Sequence, residues 1–290
     1  MSYRCLAELM PGGQMHRDTP EQFDITSSQN PRLKEAASLH ERRARDKSGR
    51  FLIEGYRELL RATDAGHPVE QLFICRSLFL GSNEEALIAR LKARGANVFT
   101  CNESAFGKLS YRDRPDGLVA VAPQQHMTLA ELQKKIVKKA SPFLIVAEAI
   151  EKPGNLGTIL RSSDAVGLDG LIVCDRCTDI HNPNVVRASV GTLFTVPVIE
   201  APGQQTIEWL RTNQIAILAA TPSAQREFTD VDMRGPLAIV VGTEQLGLSD
   251  MWMKQADIQV RIPMNGVADS LNVATATTLL LYEALRQRRV

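Results

Sequence analysis

Residues 143–161 read FLIVAEAIEKPGNLGTILR, and this stretch decides the fold class of the C-terminal half of the chain. Its first five residues are all apolar, which is typical of a strand that is buried on both faces. A loop with a proline and a glycine follows, and then Leu156, Ile159 and Leu160 recur at helical spacing. A buried strand that leads into a helix is the repeating unit of a parallel sheet.

The same unit recurs through the rest of the C-terminal half. Strands are predicted at residues 143–147, 171–174, 195–199, 215–220, 237–241 and 258–262. Helices are predicted at residues 156–166, 185–192, 206–212 and 250–255, with a long one at 270–289. We therefore predict an α/β domain from residue 142 to residue 290, with a parallel sheet that is covered by helices on both faces. Ligands of such sheets bind where the carboxyl ends of the strands meet the following loops.

The N-terminal half predicts a smaller α/β domain over residues 26–123. Its strands are predicted at residues 51–55, 69–75, 96–100 and 118–122. One helix is predicted to start at Asn30-Pro31, and two more are predicted at residues 56–65 and 84–94. Residues 1–25 lack periodicity and are expected to form a flexible tail. Residues 124–141 are polar and rich in lysine, which predicts a helical linker or a second basic surface.

The composition is that of an ordinary globular protein. Of 290 residues, 44% are hydrophobic and 23% are charged, which excludes a disordered, fibrous or low-complexity chain. No apolar run approaches the ~18 residues of a membrane span, and the first five residues lack the apolar core of a signal peptide. Five cysteines, an odd number, do not indicate a disulfide framework. We expect a cytoplasmic protein without membrane contact.

Basic residues are concentrated in one short stretch, although the net charge of the chain is only +1. Between residues 32 and 50 there are seven basic side chains and three acidic ones, which gives a local charge of +4. The seven are Arg32, Lys34, Arg42, Arg43, Arg45, Lys47 and Arg50. Such a cluster can neutralise the phosphates of a nucleic acid, or it can be a solvated helix face.

The first candidate site is the loop and helix after the strand at residues 143–147. A glycine-containing loop that opens a helix can present backbone N–H groups to a phosphate, but the spacing is neither that of a dinucleotide-binding loop nor that of a P-loop. Arg161 lies roughly 140° around the helix from Leu156, so it points away from the core. It is either a guanidinium placed for a phosphate or hydroxyl, or an ordinary surface arginine.

Two further candidate sites follow later strands. Gly242-Thr243-Glu244 comes directly after the strand at residues 237–241, where a glycine allows close backbone approach to a ligand. Ser270 and Asn272 stand at the start of the apolar C-terminal helix. The alternatives are a turn glycine with a solvated acid, and simple helix capping, although one capping residue is sufficient.

No metal site is expected. Cys174 and Cys177 form a C-x-x-C pair, but there is no second pair, and the five histidines follow no H-x-x-x-H pattern. Metal or redox chemistry at the pair is therefore disfavoured.

The order and spacing of these candidates resemble a known family. Asn155, Gly157 and Arg161, then Gly242 and Glu244, then Ile262–Met264 followed by Ser270–Val273, look like the three motifs of the SpoU (TrmH-like) RNA methyltransferases of the SPOUT superfamily. Ser28, Asn30 and Pro31, with the strand at residues 51–55, resemble the substrate-binding domain that precedes many of these catalytic domains. The resemblance covers residues 28 to 289. One departure is Thr243, where many members have asparagine.

The resemblance implies transfer of a methyl group from S-adenosylmethionine to a ribose 2′-hydroxyl in RNA, with ribosomal RNA preferred over transfer RNA. It implies a deep trefoil knot in the catalytic domain, a homodimer, and an RNA-binding N-terminal domain. The implied catalytic residues are Asn155, Arg161, Glu244, Ser270 and Asn272. The implied cofactor-binding residues are Thr221, Val241, Gly242, Gly247, Ile262, Met264, Leu271 and Ala274. A non-catalytic RNA-binding relative is the alternative, whereas an NAD enzyme is disfavoured because G-x-G-x-x-G is missing.

Overall fold

The computed structural model describes residues 23–175, 177–243 and 246–289, and within these ranges the chain forms two β-sheets. We call the four-stranded sheet with its helices the small domain, and the seven-stranded sheet with its helices the large domain. In chain order the small domain contains α1 (Pro31–Ser38), α2 (Arg42–Ser48), β1 (Arg50–Glu54), α3 (Tyr56–Asp64), β2 (Gln71–Ile74), α4 (Glu84–Ala93), β3 (Asn97–Thr100), α5 (Glu103–Leu109) and β4 (Leu118–Pro123).

The small sheet is mixed, with the strand order β1-β4-β2-β3. Strand β4 is antiparallel to both of its neighbours, and β2 and β3 are parallel. The helices α2 and α5 are absent from the sequence prediction, because both have only seven residues and polar sequences with little periodicity. Ile25 is 2% exposed and pairs with Cys101, so the flexible tail predicted for residues 1–25 ends before Asp24. Residues 1–22 of that prediction lie outside the described residues.

The large domain contains the predicted parallel sheet. Its elements are α6 (Leu129–Ile136), β5 (Phe143–Glu148), α7 (Pro153–Ala165), β6 (Gly170–Cys174), α8 (Pro183–Ser189), β7 (Val198–Ala201), α9 (Gly203–Thr212), β8 (Ala216–Ala220), β9 (Arg226–Glu227), β10 (Leu237–Val241), α10 (Asp250–Gln255), β11 (Ile258–Arg261) and α11 (Val273–Arg288). The strand order among the described residues is β7-β6-β5-β10-β8-β11-β9, and every pairing is parallel. This confirms the α/β fold class, and the knot that the resemblance implies stays a prediction.

Helices cover both faces of the large sheet, as the continuous apolar strands require. One face packs against α7 and α11, and the other packs against α6, α9 and α10. The central strands β5 and β10 are buried along their whole length. A core on both faces holds the strand ends, and the loops that follow them, in fixed positions.

Two predicted segments are refined by the structure. The lysine-rich segment 124–141, predicted as a helical linker or a second basic surface, contains the helix α6, which starts at a Thr128–Glu131 capping box and buries Leu129, Leu132 and Ile136 against the large sheet. The strand predicted at residues 195–199 starts only at Val198, because a turn of 3-10 helix occupies Thr192–Phe194. The preceding apolar residues Leu193 and Phe194 pack against the small domain instead.

A buried ion pair joins the two domains. Arg45 of α2 is 1% exposed, and its guanidinium lies 2.6 Å from the carboxylate of Asp179, in the loop before α8. The same guanidinium donates to the carbonyl oxygens of Leu39 and His40. Helix α8 in turn packs on both β1 and α7, so the small domain contacts the helix pair beside the candidate site. In the described part of the chain, no helix is long and apolar enough to cross a membrane.

Candidate active site

The candidate residues gather at one edge of the large sheet. The strands β5, β10, β8 and β11 are neighbours, and all four present their carboxyl ends to the same edge. The segments that follow them carry the three motifs and Thr221. This is the edge at which the topology of parallel sheets predicts a ligand.

Arg161 is held on α7 and is solvent-exposed, as its helical position predicts. Among the described residues, none forms a hydrogen bond or an ion pair with its guanidinium. The helix itself is fixed, because Leu156, Ile159 and Leu160 are fully buried and Ser162 hydrogen-bonds Thr278 of α11 at 2.6 Å. An unpaired arginine on a rigid helix is available to a substrate.

Asn155 and Asn272 connect the first and third motifs directly. The Nδ2 atom of Asn272 donates to the Oδ1 atom of Asn155 at 3.1 Å. Asn272 also caps α11, where its side-chain oxygen accepts from the backbone N–H of Ala274 at 3.0 Å. The two amides, 117 positions apart in the sequence, therefore lie in contact at the sheet edge.

Ser270 is not at the helix start that the sequence predicts. The helix begins at Val273, and Ser270 lies in the preceding exposed loop with its Oγ 3.3 Å from Asp269 Oδ1. Asn272 alone caps the helix, as expected because one capping residue is sufficient.

Gly157 is required by helix packing. A Cβ atom at this position would lie 2.5 Å from Ala188 Cβ and 2.9 Å from the backbone nitrogen of Ser189. The glycine therefore allows α7 and α8 to pack closely, and the structure explains it without a phosphate.

Gly242 is required by the turn that follows β10. A Cβ atom there would lie 2.5 Å from the carbonyl carbon of Gly247 and 2.8 Å from the backbone nitrogen of Leu248. The turn closes through two backbone hydrogen bonds between Thr243 and Gly247, at 3.2 and 3.0 Å. The close approach predicted at this glycine is thus made by the chain itself. Glu244 lies outside the described residues.

Glu148 is a site residue that the sequence analysis missed. It ends β5, is 6% exposed, and accepts a hydrogen bond at 2.9 Å from the backbone N–H of Ser249. This contact attaches Ser249, at the far end of the turn that follows β10, to the neighbouring strand β5. The only signal was an acid directly after an apolar strand, at residue 148.

The predicted cofactor residues surround the same edge, on three adjacent strands and the start of α11. Val241 and Ala274 are buried, Thr221, Ile262, Met264 and Leu271 are half-buried, and Gly247 is exposed. Their side chains carry no charge, and the loops offer backbone N–H and C=O groups together with apolar contact. This donor set fits S-adenosylmethionine, whose adenosine needs apolar contact with a few polar groups.

The seven basic residues of the 32–50 stretch divide by exposure. Arg45 is buried in the ion pair with Asp179, so the prediction that it contacts RNA is wrong for this conformation. Arg50 is half-buried between Glu35 and Glu70, and Arg42 pairs with Asp46. Arg32 covers the ring of Phe99 at 4.9 Å. Lys34, Arg43 and Lys47 are exposed.

In the C-x-x-C pair, Cys174 is buried and Cys177 is half-buried. Burial raises the pKa of Cys174 to about 12 and that of Cys177 to about 11, so both thiols stay protonated at pH 7. Within the described ranges there is no group of three His, Cys, Asp or Glu side chains that could hold a metal ion.

Comparison with known proteins identifies the family. Residues 142–282 match the SpoU rRNA Methylase family, and residues 30–120 match the MRM3-like substrate binding domain. The chain is 32% identical over 281 residues to the 23S rRNA (uridine(2479)-2'-O)-methyltransferase of Streptomyces viridochromogenes, covering 93% of this chain and 94% of that protein.

Two solved structures extend the similarity to the fold. An RNA 2'-O ribose methyltransferase is 39% identical with a TM-score of 0.78, over 92% of this chain and 99% of its own. The AdoMet-bound rRNA methyltransferase from Sinorhizobium meliloti is 30% identical with a TM-score of 0.82, over 90% and 97% of the two chains. Both domains match in the same order, and the alignments span nearly the whole length, so this chain belongs to the SpoU rRNA methylase family.

Proposed function

We propose that this chain transfers the methyl group of S-adenosylmethionine to a ribose 2′-hydroxyl of ribosomal RNA. The observation that carries the proposal is the exposed Arg161, on a rigid helix whose first turn brings Asn155 against Asn272. The Streptomyces relative supports 23S rRNA as the substrate class, and the Sinorhizobium structure supports the cofactor. The bacterial sources of both support a cytoplasmic location.

The residues at this edge must help a ribose hydroxyl, which is a weak acid, to lose its proton and react. A ribose hydroxyl is not ionised at pH 7, so its proton must pass to a phosphate of the RNA or to solvent water as the oxygen attacks the methyl carbon. Arg161 is too basic to accept that proton. Its guanidinium instead stabilises the negative charge that develops on the oxygen. When bound, S-adenosylmethionine supplies an electrophilic methyl group.

The loops at the sheet edge would position the two reactants. Ile262, Met264 and Leu271 offer apolar contact to the cofactor, and the Gly242–Gly247 turn, fixed by Glu148, closes one side. Holding both reactants in line removes most of the entropic barrier to a two-body reaction. Asn155 and Asn272 are the amides that would orient the ribose hydroxyl, and Glu244 and Ser270 belong to the same proposed catalytic set.

The target RNA is tested by mapping methylated riboses. Ribosomal and transfer RNA from cells with and without the protein are compared by the resistance of 2′-O-methylated linkages to alkaline cleavage. Loss of one ribosomal site in the deletion strain is the expected result. Loss of a transfer RNA site alone would reassign the substrate.

RNA binding is proposed to use the exposed cations Lys34, Arg43 and Lys47. Reversing Arg43 and Lys47 to glutamate should weaken RNA binding at least about tenfold at low salt and flatten its salt dependence, because fewer counterions are released. Filter binding across a salt series measures both, and calorimetry should show unchanged cofactor affinity.

The control for this experiment reverses two exposed arginines elsewhere, Arg211 and Arg234, which lie near the amino-terminal ends of the large-domain strands. Both double variants change the net charge equally. Equal loss of RNA affinity in the two would show a general charge effect and remove the 32–50 stretch from the interface.

We further propose that the enzyme is a homodimer joined through α11. Leu279 is 41% exposed and Tyr282 is 50% exposed, on a helix whose other faces are buried. They form one apolar stripe, and α7 with Arg161 packs beside the same helix. A second copy that covers the stripe would complete each active site.

Placing glutamate at both Leu279 and Tyr282 should convert the dimer to a monomer, because two charges would be buried in the interface. Light scattering after gel filtration measures the mass. Val137→Glu is the control, since Val137 is an exposed apolar residue that follows α6 and lies outside the stripe. A wild-type protein that is monomeric at micromolar concentration would contradict the proposal.

A further inference from the structure

A cavity of about 520 Å³ lies between the two domains, away from the methyl-transfer residues. The small domain contributes Phe51 and His67 to its lining, and the large domain contributes His126, His181 and Phe194. The volume lies in the range of sites that enclose a small ligand. We call it the interdomain cavity.

The lining of the interdomain cavity is rich in planar rings. The ring centroids of Phe51 and His181 are 4.6 Å apart, those of His67 and Phe194 are 5.0 Å apart, and those of His126 and His181 are 5.4 Å apart. Aromatic and imidazole rings are the surfaces on which unpaired RNA bases stack. The lining therefore suits a flat heteroaromatic ligand.

His181 is a buried polar group without a partner in this cavity. It is 4% exposed, and among the described residues neither ring nitrogen has a hydrogen bond. The nearest acid is Asp179, whose Oδ1 lies 4.0 Å from Nδ1. Because its ring nitrogens have no hydrogen-bond partner in the described part of the chain, they are available to a ligand with matching groups.

The charge state of His181 suits a neutral base. Burial lowers its pKa to about 4, and the nearby Arg45, His67 and His126 act in the same direction against Asp179. The ring is therefore neutral at pH 7 and offers one donor and one acceptor. The Watson–Crick edge of an unpaired base presents the same two kinds of group.

Lys135 lines the same cavity from α6 and is exposed. In the described part of the chain Lys135 forms no ion pair, and Glu131, which also lines the cavity, accepts from the backbone N–H and hydroxyl of Thr128 at 2.8 Å. An ammonium group at the edge of an aromatic pocket suits the phosphate of the nucleotide whose base is inside.

We propose that the interdomain cavity is a second nucleotide subsite, which takes one unpaired base of the substrate RNA, separate from the nucleotide that is methylated. His181 contacts the edge of the base, the half-buried ring of Phe194 contacts its face, and Lys135 contacts its phosphate. The inference rests on the proposed function only in taking RNA as the substrate. Because both domains line the subsite, an occupied cavity would also fix the small domain relative to Arg161.

The first test measures RNA affinity with matched variants. Phe194→Leu keeps an apolar side chain but removes a ring, and Lys135→Ala removes the cation. Each should weaken binding of single-stranded octaadenylate, octacytidylate or octauridylate, whichever binds best, by about tenfold. Lys134→Ala, on the exposed side of the same helix and outside the cavity lining, is the control and should stay within about twofold.

The second test observes the imidazole resonances of His67, His126 and His181 by nitrogen NMR, with His181→Gln as the assignment variant. Titration with the same octanucleotides should shift the His181 resonance, and inorganic phosphate should not. If no octanucleotide shifts it, or phosphate shifts it equally, the cavity is interdomain packing only and the proposal is overturned. Wild-type methyl transfer, measured in parallel, shows whether the proposed function stands independently of that result.

Discussion

Arg161→Ala is expected to slow methyl transfer by roughly two to three orders of magnitude, the loss that follows removal of one donor that acts in the transition state. Folding and cofactor affinity should stay near wild type, because the side chain is exposed and has no partner among the described residues. Exposed substitutions of this kind typically change the free energy of unfolding by within about 0.5 kcal/mol. Single-turnover transfer to saturating RNA separates this chemical step from RNA affinity.

Two comparisons make the Arg161 experiment specific. Arg161→Lys should recover only part of the rate, since an ammonium group cannot reproduce a planar fork of donors. Arg234→Ala removes an exposed guanidinium that pairs with Asp232 and lies just before the amino-terminal end of β10, and it should leave the rate unchanged. A rate within about threefold of wild type for Arg161→Ala would make Arg161 an ordinary surface residue.

Gly242→Ala is expected to reduce cofactor affinity by roughly ten- to a hundredfold. The added Cβ would lie within 3 Å of backbone atoms of Gly247 and Leu248, so the turn must open. Forcing extra volume into a packed site costs about 1–3 kcal/mol. Because this cost makes the binding-competent conformation of the turn rarer, the apparent affinity for the cofactor falls in the same proportion. Calorimetric titration with S-adenosylmethionine measures the loss.

Gly235→Ala is the matched control for this experiment. Gly235 precedes the same strand, β10, at its other end, and a Cβ atom there meets nothing within 4 Å. It should bind the cofactor with wild-type affinity. If Gly242→Ala also binds normally and melts at the wild-type temperature, the turn is not part of the cofactor site.

The strands and motif residues were predictable because their signals are local. A continuous apolar run identifies a central parallel strand without any knowledge of its neighbours, and β5 and β10 agree with prediction to within one residue. The exposure of Arg161 follows from helical spacing alone. Both depend on residues within one or two turns.

The errors arose where the deciding partner is distant in the sequence. Arg45 lies in a basic stretch but is buried by Asp179, 134 positions away, and composition cannot reveal such a partner. The glycines at positions 157 and 242 were singled out for close approach to a ligand, but the atoms that exclude a side chain there belong to other segments of the chain. A helical linker was one of the two alternatives predicted for residues 124–141, but the sheet on which Leu129, Leu132 and Ile136 of α6 pack is formed by residues distant in the sequence.

The most direct test of the central claim is the chemical position of the product. RNA is incubated with the wild-type protein and S-adenosylmethionine, digested to nucleosides and analysed by mass spectrometry. The account predicts one new 2′-O-methylnucleoside, with the added mass on the ribose fragment, and its loss in Arg161→Ala. A methyl group on the base fragment, or no methylation of ribosomal RNA by a protein that binds both RNA and cofactor, would contradict it.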